Sequence, residues 1–146
     1  YKRQIYAIAA GVAEGLNLGE NAKSALISRS FAEMTRYAKK FKADKNTLFG
    51  LSGLGDLILT CSSKNSRNTQ FGIKLASSKY DNFLDLLKSQ EVTEGYYTVK
   101  AVYNISQKKN IDMPIMESVY NILYKQHDLK EELSNLLSRP ITEEKI

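Results

Sequence analysis

Apolar side chains in this chain recur every three or four residues, which is the spacing of a helix. No segment of useful length alternates apolar and polar residues, as a strand would. Ile5, Ile8 and Val12 set this spacing near the beginning. A second helix is expected after the glycine-bounded turn 15–19, with Asn21 as its N-cap. We therefore predict an all-α fold, a compact multi-helix bundle. The predicted buried stripe of the second helix comprises Ile27, Phe31, Met34, Ala38 and Phe41.

The later part of the chain carries further helix signals. One helix is expected to begin near Thr98. Met113-Pro114 fits the start of another, because proline is accommodated in a first helical turn. A last short helix is predicted from Leu129 to Leu137. The chain is thus expected to be one helical domain covering residues 1–146.

Composition narrows the class of protein. Cys61 is the only cysteine, which rules out an internal disulfide and fits a cytoplasmic location. No apolar run approaches the roughly 20 residues that span a bilayer. The net charge of +5 comes from scattered lysines, and solvated surface is the simplest interpretation. Because no zinc-ligand spacing or RNA-binding motif occurs, we expect neither a metal nor a nucleic acid as partner.

An aspartate stands inside the glycine-broken apolar run 50–61. Asp56 would be costly there if it were ionised and unpaired, so it needs a cation, several donors or a catalytic task. Thr60 lies one helical turn further on, on the same face. A capping or buried hydrogen-bonding role for Asp56 is as good an interpretation as a functional one.

The segment Ser66-Arg67-Asn68 sits where a polar loop meets a predicted helix. A helix N-terminus offers free N–H groups and a positive dipole end, and arginine adds a forked donor for phosphate oxygens. These residues could form a phosphate site. Taken alone, an N-cap followed by a solvated arginine explains them better.

Several spaced motifs follow one another along nearly the whole chain. They are Ile5-Tyr6-Ala7-Ile8-Ala9-Ala10-Gly11, Gly15 to Lys23, Gly53-Leu54-Gly55-Asp56-Leu57, Thr60-Cys61, Ser66-Arg67-Asn68, Val92-Thr93-Glu94-Gly95 with Ala101, and Met113-Pro114-Ile115. In this order they resemble glycerol-3-phosphate dehydrogenases of the bacterial type. The resemblance implies a helical C-terminal domain similar to that of 6-phosphogluconate dehydrogenase, which works with a Rossmann domain that we expect this chain to lack.

The resemblance also implies the reaction and its residues. The family reduces dihydroxyacetone phosphate reversibly to sn-glycerol 3-phosphate, a phospholipid precursor, with NAD or NADP as cofactor. Asp56 would position a catalytic lysine, with Thr60 nearby. The remaining roles implied are substrate contacts for Ser66, Arg67 and Asn68, and cofactor contacts for Arg67, Val92 and Glu94.

The chain departs from the family at one important place. The family has Lys-Asn directly before the first motif, and Arg3 and Gln4 stand there in this sequence. Either Lys2 supplies the catalytic lysine through a one-residue shift, or Arg3 has replaced it. Arginine is a poor proton donor because it stays charged at ordinary pH. We take Lys2 as the candidate catalytic lysine.

No Gly-x-Gly-x-x-Gly fingerprint follows a strand, so the cofactor is expected to bind mainly to the missing domain and the isolated chain to be inactive. A homodimer is a further expectation. The alternative to an enzyme is a non-enzymatic helical interaction module on the same scaffold, motivated by Arg3 and Gln4. A related dehydrogenase acting on another hydroxy acid ranks below both.

Overall fold

The computed structural model describes residues 2–42, 55–63, 66–77, 94–125 and 127–138. These residues form helices and connecting turns, with no strand among them. None of the described helices has the length and apolar character needed to cross a membrane. The all-α prediction is therefore confirmed. The helices are α1 (Lys2–Gly15), α2 (Glu20–Lys40), α3 (Asp56–Ser62), α4 (Arg67–Ser77), α5 (Glu94–Lys109), α6 (Pro114–Tyr124) and α7 (Leu129–Leu137).

Helix α1 is the centre of the bundle. Every residue from 5 to 13 is buried, so the helix has no solvated face over this length. It packs against α2, α3, α4, α5 and α6. A helix that is apolar all round is stable only when other helices cover all of its sides. The run of small and apolar residues in the first motif thus explains why α1 is central.

Two glycines let α1 and α4 approach backbone to backbone. A Cβ on Gly11 would lie 2.1 Å from the Thr69 carbonyl oxygen, and one on Gly72 would lie 2.2 Å from the Ile8 carbonyl oxygen. No larger residue fits at either position without separating the helices, because the obstructing atoms belong to the backbone. Gly11 and Gly72 therefore fix the distance and register between these helices.

Helix α2 departs from two predictions. It begins at Glu20 after Gly19, whose φ of 91° suits glycine, so the prediction of Asn21 as the N-cap is wrong. In the predicted buried stripe, Phe31 and Ala38 are buried and Ile27 and Met34 are half-buried, but Phe41 is 47% exposed. Helix α2 ends at Lys40, so Phe41 no longer lies on the buried stripe. Its ring contacts the Tyr37 ring instead, with 4.8 Å between the two centroids.

Glu33 of α2 is fully buried and serves as a distant cap for α6. Its carboxylate accepts the backbone N–H of Ile115 at 2.7 Å and of Met116 at 3.1 Å. Met113, the N-cap residue of α6, supplies no side-chain cap. Glu33 therefore satisfies N–H groups that a helix start would otherwise leave unpaired.

Burial shifts the ionisation of this cap. It raises the pKa of Glu33 from 4.5 to about 8, although the hydrogen bonds from Ile115 and Met116 and the Arg36 charge oppose the shift. Burial, and then Glu33, raise the pKa of the Tyr6 hydroxyl well above 10.0. The contact between Tyr6 and Glu33 nevertheless falls short of hydrogen-bond geometry. Glu33 is thus a carboxyl group for which the interior favours the protonated form.

Three predicted helix boundaries lie in the later part of the chain. Helix α5 begins at Glu94, so the start predicted near Thr98 is wrong by four residues. An acidic residue in a first turn favours this earlier start through the helix dipole. Pro114 lies in the first turn of α6, which confirms that prediction. Helix α7 spans Leu129–Leu137 as predicted, with Asp128 accepting the Glu131 N–H at 3.1 Å as its cap.

Replacing Gly11 with alanine should destabilise the fold strongly. The added Cβ would collide with the Thr69 carbonyl, and overpacking that the backbone must absorb costs about 3 kcal/mol. The measurement is the free energy of unfolding from urea denaturation. Ser28→Ala, at an exposed position of α2, is the control and should change that energy by less than about 0.5 kcal/mol. An equal, small effect of both variants would contradict the close crossing.

Replacing Glu33 with glutamine should change how stability depends on pH. A carboxyl whose folded pKa is about 8 against an ordinary 4.5 contributes stability below pH 4.5 that is lost as the pH rises through 8. Glutamine does not ionise, so the wild type should lose stability relative to Glu33→Gln between pH 5 and pH 8. Urea denaturation at several pH values measures this difference. Glu20→Gln, at the exposed start of the same helix, is the control. A wild-type advantage that grows with pH would overturn the expectation.

Candidate functional site

The first turns of four helices meet at one end of the bundle. Arg3 of α1 forms an ion pair with Asp56 of α3. Gln4 Nε2, on the next residue of α1, donates to Glu94 Oε2 of α5 at 3.1 Å. The α5 backbone is in turn held from α4, because the Gly95 N–H donates to Asn68 Oδ1 at 3.2 Å. These contacts bring Asp56, Asn68 and Glu94, which are distant in sequence, into one region.

Asp56 is the first residue of α3 and its charge is compensated. The side chains of Arg3 and Asp56 remain 50% and 42% exposed, so the pair borders the surface. The cation that an aspartate in an apolar run requires is therefore Arg3. Lys2 is the first residue of α1, but its side chain lies outside the described part of the structure. Its assignment as the catalytic lysine stays a prediction.

Ser66, Arg67 and Asn68 lie together at the start of α4. Ser66 Oγ accepts the Thr69 N–H at 3.4 Å, which makes Ser66 a cap while its own hydroxyl proton stays available. Asn68 Oδ1 faces the Gly95 N–H, so the NH₂ end of this amide remains a donor. The side chain of Arg67 is exposed. Capping and donation to a ligand are thus compatible here.

The other predicted site residues are less closely connected to this region. Thr60 is half-buried and follows Asp56 by one turn of α3. Val92 lies outside the described residues. Cys61 is buried, and burial raises the pKa of its thiol to about 12, which suits an apolar packing role rather than a nucleophile. Within the described ranges, no three acidic, histidine or cysteine side chains come together as a metal site requires.

Sequence reasoning did not give Gln4 and Thr98 a role in this site. Gln4 Oε1 accepts the Thr98 hydroxyl at 2.9 Å, on the opposite end of the amide from Glu94. The residues are more than 90 positions apart, so no local pattern connects them. The departure from the family motif at Gln4 was the only available signal.

Known proteins match the chain in sequence and in fold. Residues 2–134 match the family described as NAD-dependent glycerol-3-phosphate dehydrogenase C-terminus. Glycerol-3-phosphate dehydrogenase [NAD(P)+] of Solidesulfovibrio magneticus is 46% identical over 97% of this chain. The crystal structure of glycerol-3-phosphate dehydrogenase from Coxiella burnetii superposes with a TM-score of 0.86 at 38% identity and covers 94% of the chain. The yeast enzyme from Saccharomyces cerevisiae gives 0.80 at 26% identity, also over 94%.

The solved structures on which this helical bundle superposes are dehydrogenases, and the matching family model describes their C-terminus. The chain is a member of the glycerol-3-phosphate dehydrogenase family and corresponds to its C-terminal domain. It spans 43% of the length of the Solidesulfovibrio relative, 42% of the Coxiella chain and 40% of the yeast chain.

Proposed function

We propose that this chain is the substrate-binding and catalytic half of an NAD(P)-dependent glycerol-3-phosphate dehydrogenase. The full-length protein would reduce dihydroxyacetone phosphate reversibly to sn-glycerol 3-phosphate for phospholipid synthesis. The observation that carries the proposal is the meeting of Asp56, Asn68 and Glu94 at one end of the bundle, in a chain of this family. A dinucleotide-binding domain elsewhere in the full-length protein would hold most of the cofactor.

The start of α4 would bind the substrate phosphate. A dianionic phosphate loses its hydration on binding, and charged or N–H donors must replace it. The Arg67 guanidinium is exposed and suited to two phosphate oxygens, and the Ser66 hydroxyl and Asn68 amide can donate beside it. The positive end of the α4 dipole adds to this attraction.

The residues at the start of α5 fit the edge of a nicotinamide dinucleotide. Glu94 presents a carboxylate that can accept from hydroxyl or amide groups, and Arg67 presents a cation for phosphate. Glu94 and Arg67, with Val92, would hold the part of NAD(P)H that reaches this domain. When bound, the cofactor supplies the hydride for reduction of the ketone.

Asp56 and its neighbours would manage the charge that forms on the ketone oxygen. The alkoxide must be stabilised and then protonated, and a lysine with a lowered pKa can do both. We propose Lys2 as that proton donor, with Thr60 beside the reacting group. Arg3, held by Asp56, would stabilise negative charge without releasing a proton.

Two further proposals concern where and how the protein works. A lone cysteine such as Cys61 is compatible with the reducing cytoplasm, and we propose that location. The expected homodimer stays a prediction, which analytical ultracentrifugation of the full-length protein would test.

The full-length protein should oxidise NADH or NADPH in the presence of dihydroxyacetone phosphate. Absorbance at the nicotinamide band measures the rate, and the isolated 146-residue chain should show none. A folded full-length protein that is inactive with both cofactors would refute the proposed function.

The variant Lys2→Met should lower kcat by about 100-fold or more in the full-length protein, the usual contribution of a positioned proton donor. The matched variant Lys130→Met, at an exposed position of α7, should leave kcat unchanged. Wild-type turnover in Lys2→Met would show that the proton comes from another group. Circular dichroism would check that each variant is folded.

The variant Arg67→Met should raise the KM for dihydroxyacetone phosphate by about 10- to 100-fold, because one forked, charged donor to the phosphate is lost. Dihydroxyacetone without phosphate, at saturating NADH or NADPH, offers a second measurement, since its weak reduction should then hardly change in Arg67→Met. An equal loss with both ketones would place Arg67 away from the phosphate.

A further inference from the structure

Gln4 is joined through both ends of its carboxamide to the first two turns of α5. Its Nε2 donates to Glu94 Oε2 at 3.1 Å, and its Oε1 accepts from the Thr98 hydroxyl at 2.9 Å. The Thr98 Oγ1 also lies 3.1 Å from the Glu94 carbonyl oxygen, one turn back in the same helix. Gln4 is half-buried, so these bonds are partly shielded from water.

The residue type at position 4 follows from this geometry. A carboxylate such as Glu94 only accepts, and a hydroxyl that donates needs an acceptor, so the residue between them must offer one donor and one acceptor. Asparagine has both but is one methylene shorter than glutamine. Glutamate would place a second negative charge against Glu94. Glutamine has both the reach and the polarity.

The backbone beside Glu94 is already fixed by other contacts. The Gly95 N–H is held by Asn68, and a Cβ at Gly95 would lie 2.4 Å from Asn68 Oδ1 and 2.8 Å from Ile8 Cδ1. The start of α5 is thus pressed against α1 and α4. What this packing does not determine is the direction of the exposed Glu94 carboxylate, and Gln4 supplies that constraint.

We propose that Gln4 is a positioning residue that orients the Glu94 carboxylate toward the cofactor, acting on cofactor affinity and not on the ketone substrate. This inference rests on the proposed function, since it requires Glu94 to contact NAD(P)H. Gln4 itself need touch neither the cofactor nor the substrate.

The test uses the full-length protein and the variants Gln4→Met, Glu94→Ala and the double variant. Methionine keeps the length and shape of glutamine but removes both hydrogen bonds. We expect Gln4→Met to raise the dissociation constant of NADH or NADPH, measured by nicotinamide fluorescence, by about tenfold, the worth of one hydrogen bond to a charged group. The KM for dihydroxyacetone phosphate should stay within about twofold.

The double variant distinguishes positioning from general damage. If Gln4 acts through Glu94, then adding Gln4→Met to Glu94→Ala weakens cofactor binding no further. Gln107→Met, at an exposed position of α5, is the matched control and should leave cofactor binding unchanged. Three results would overturn the inference. They are additive losses of cofactor affinity in the double variant, an unchanged cofactor dissociation constant in Gln4→Met, or an equal rise in that constant and in the KM for dihydroxyacetone phosphate.

Failure of the proposed function would be visible separately. A wild-type protein that neither binds NAD(P)H nor oxidises it with dihydroxyacetone phosphate refutes the function before any variant is compared. An active wild type with an unaffected Gln4→Met refutes only the role of Gln4.

Discussion

The close crossing of α1 and α4 is the contact on which the site depends. Gly11 and Gly72 let the two backbones meet without side chains between them, so neither helix can slide or rotate against the other. At about 1.5 Å per residue, Gln4 lies roughly 10 Å from the crossing along α1 and Asn68 roughly 6 Å along α4. Because these helical segments are short and stiff, the crossing also determines where the two helices begin. Gln4 and Asn68 can therefore both hold the start of α5, Gln4 through Glu94 and Asn68 through Gly95.

A second set of contacts joins α2 to α6, to α7 and to the residues before α6. Helix α2 inserts the ionisable side chains of Glu33, Arg29 and Arg36, which form hydrogen bonds with the backbone of other elements. Glu33 caps the start of α6, and Arg29 Nη1 donates to the Leu136 carbonyl near the end of α7 at 3.1 Å. Arg36 Nε donates to the Asp112 carbonyl before α6 at 2.8 Å. Helix starts leave N–H groups and helix ends leave carbonyls without intrahelical partners, so Glu33 and Arg29 supply hydrogen bonds at the start of α6 and near the end of α7. The arrangement fixes α6 and α7 relative to α2.

Local sequence patterns predicted the helices well but not the contacts between them. Pro114 and the α7 boundaries follow from rules about single helices, and those rules sufficed. They failed at Asn21, because Gly19 can take a backbone angle that starts the helix earlier. The role of Glu33 could not be predicted, since its partners Ile115 and Met116 are more than 80 residues away in the sequence.

In the candidate site, too, features within one helix could be predicted and contacts between helices could not. Asp56 was recognisable because a charge in an apolar run demands a partner, and Ser66-Arg67-Asn68 because donors at a helix start suit an anion. Which cation would meet Asp56 could not be deduced, since both Lys2 and Arg3 stood at the same helix end. That Asn68 uses its oxygen to hold Gly95 also depends on packing between helices, which no local pattern encodes.

The two residues that depart from the family motif share one physical property. Where the resemblance implies lysine and asparagine, this chain has Arg3 and Gln4, each of the same charge or polarity but longer. Each uses its length for a contact between helices: Arg3 reaches Asp56 on α3, and Gln4 reaches Glu94 on α5. Paired substitutions that keep charge and amide character preserve the electrostatic field at this end of the bundle. What arginine cannot preserve is an exchangeable proton near neutral pH. Under the proposed function, the replacement at Arg3 therefore bears on proton delivery, and the replacement at Gln4 bears on the direction of the Glu94 carboxylate.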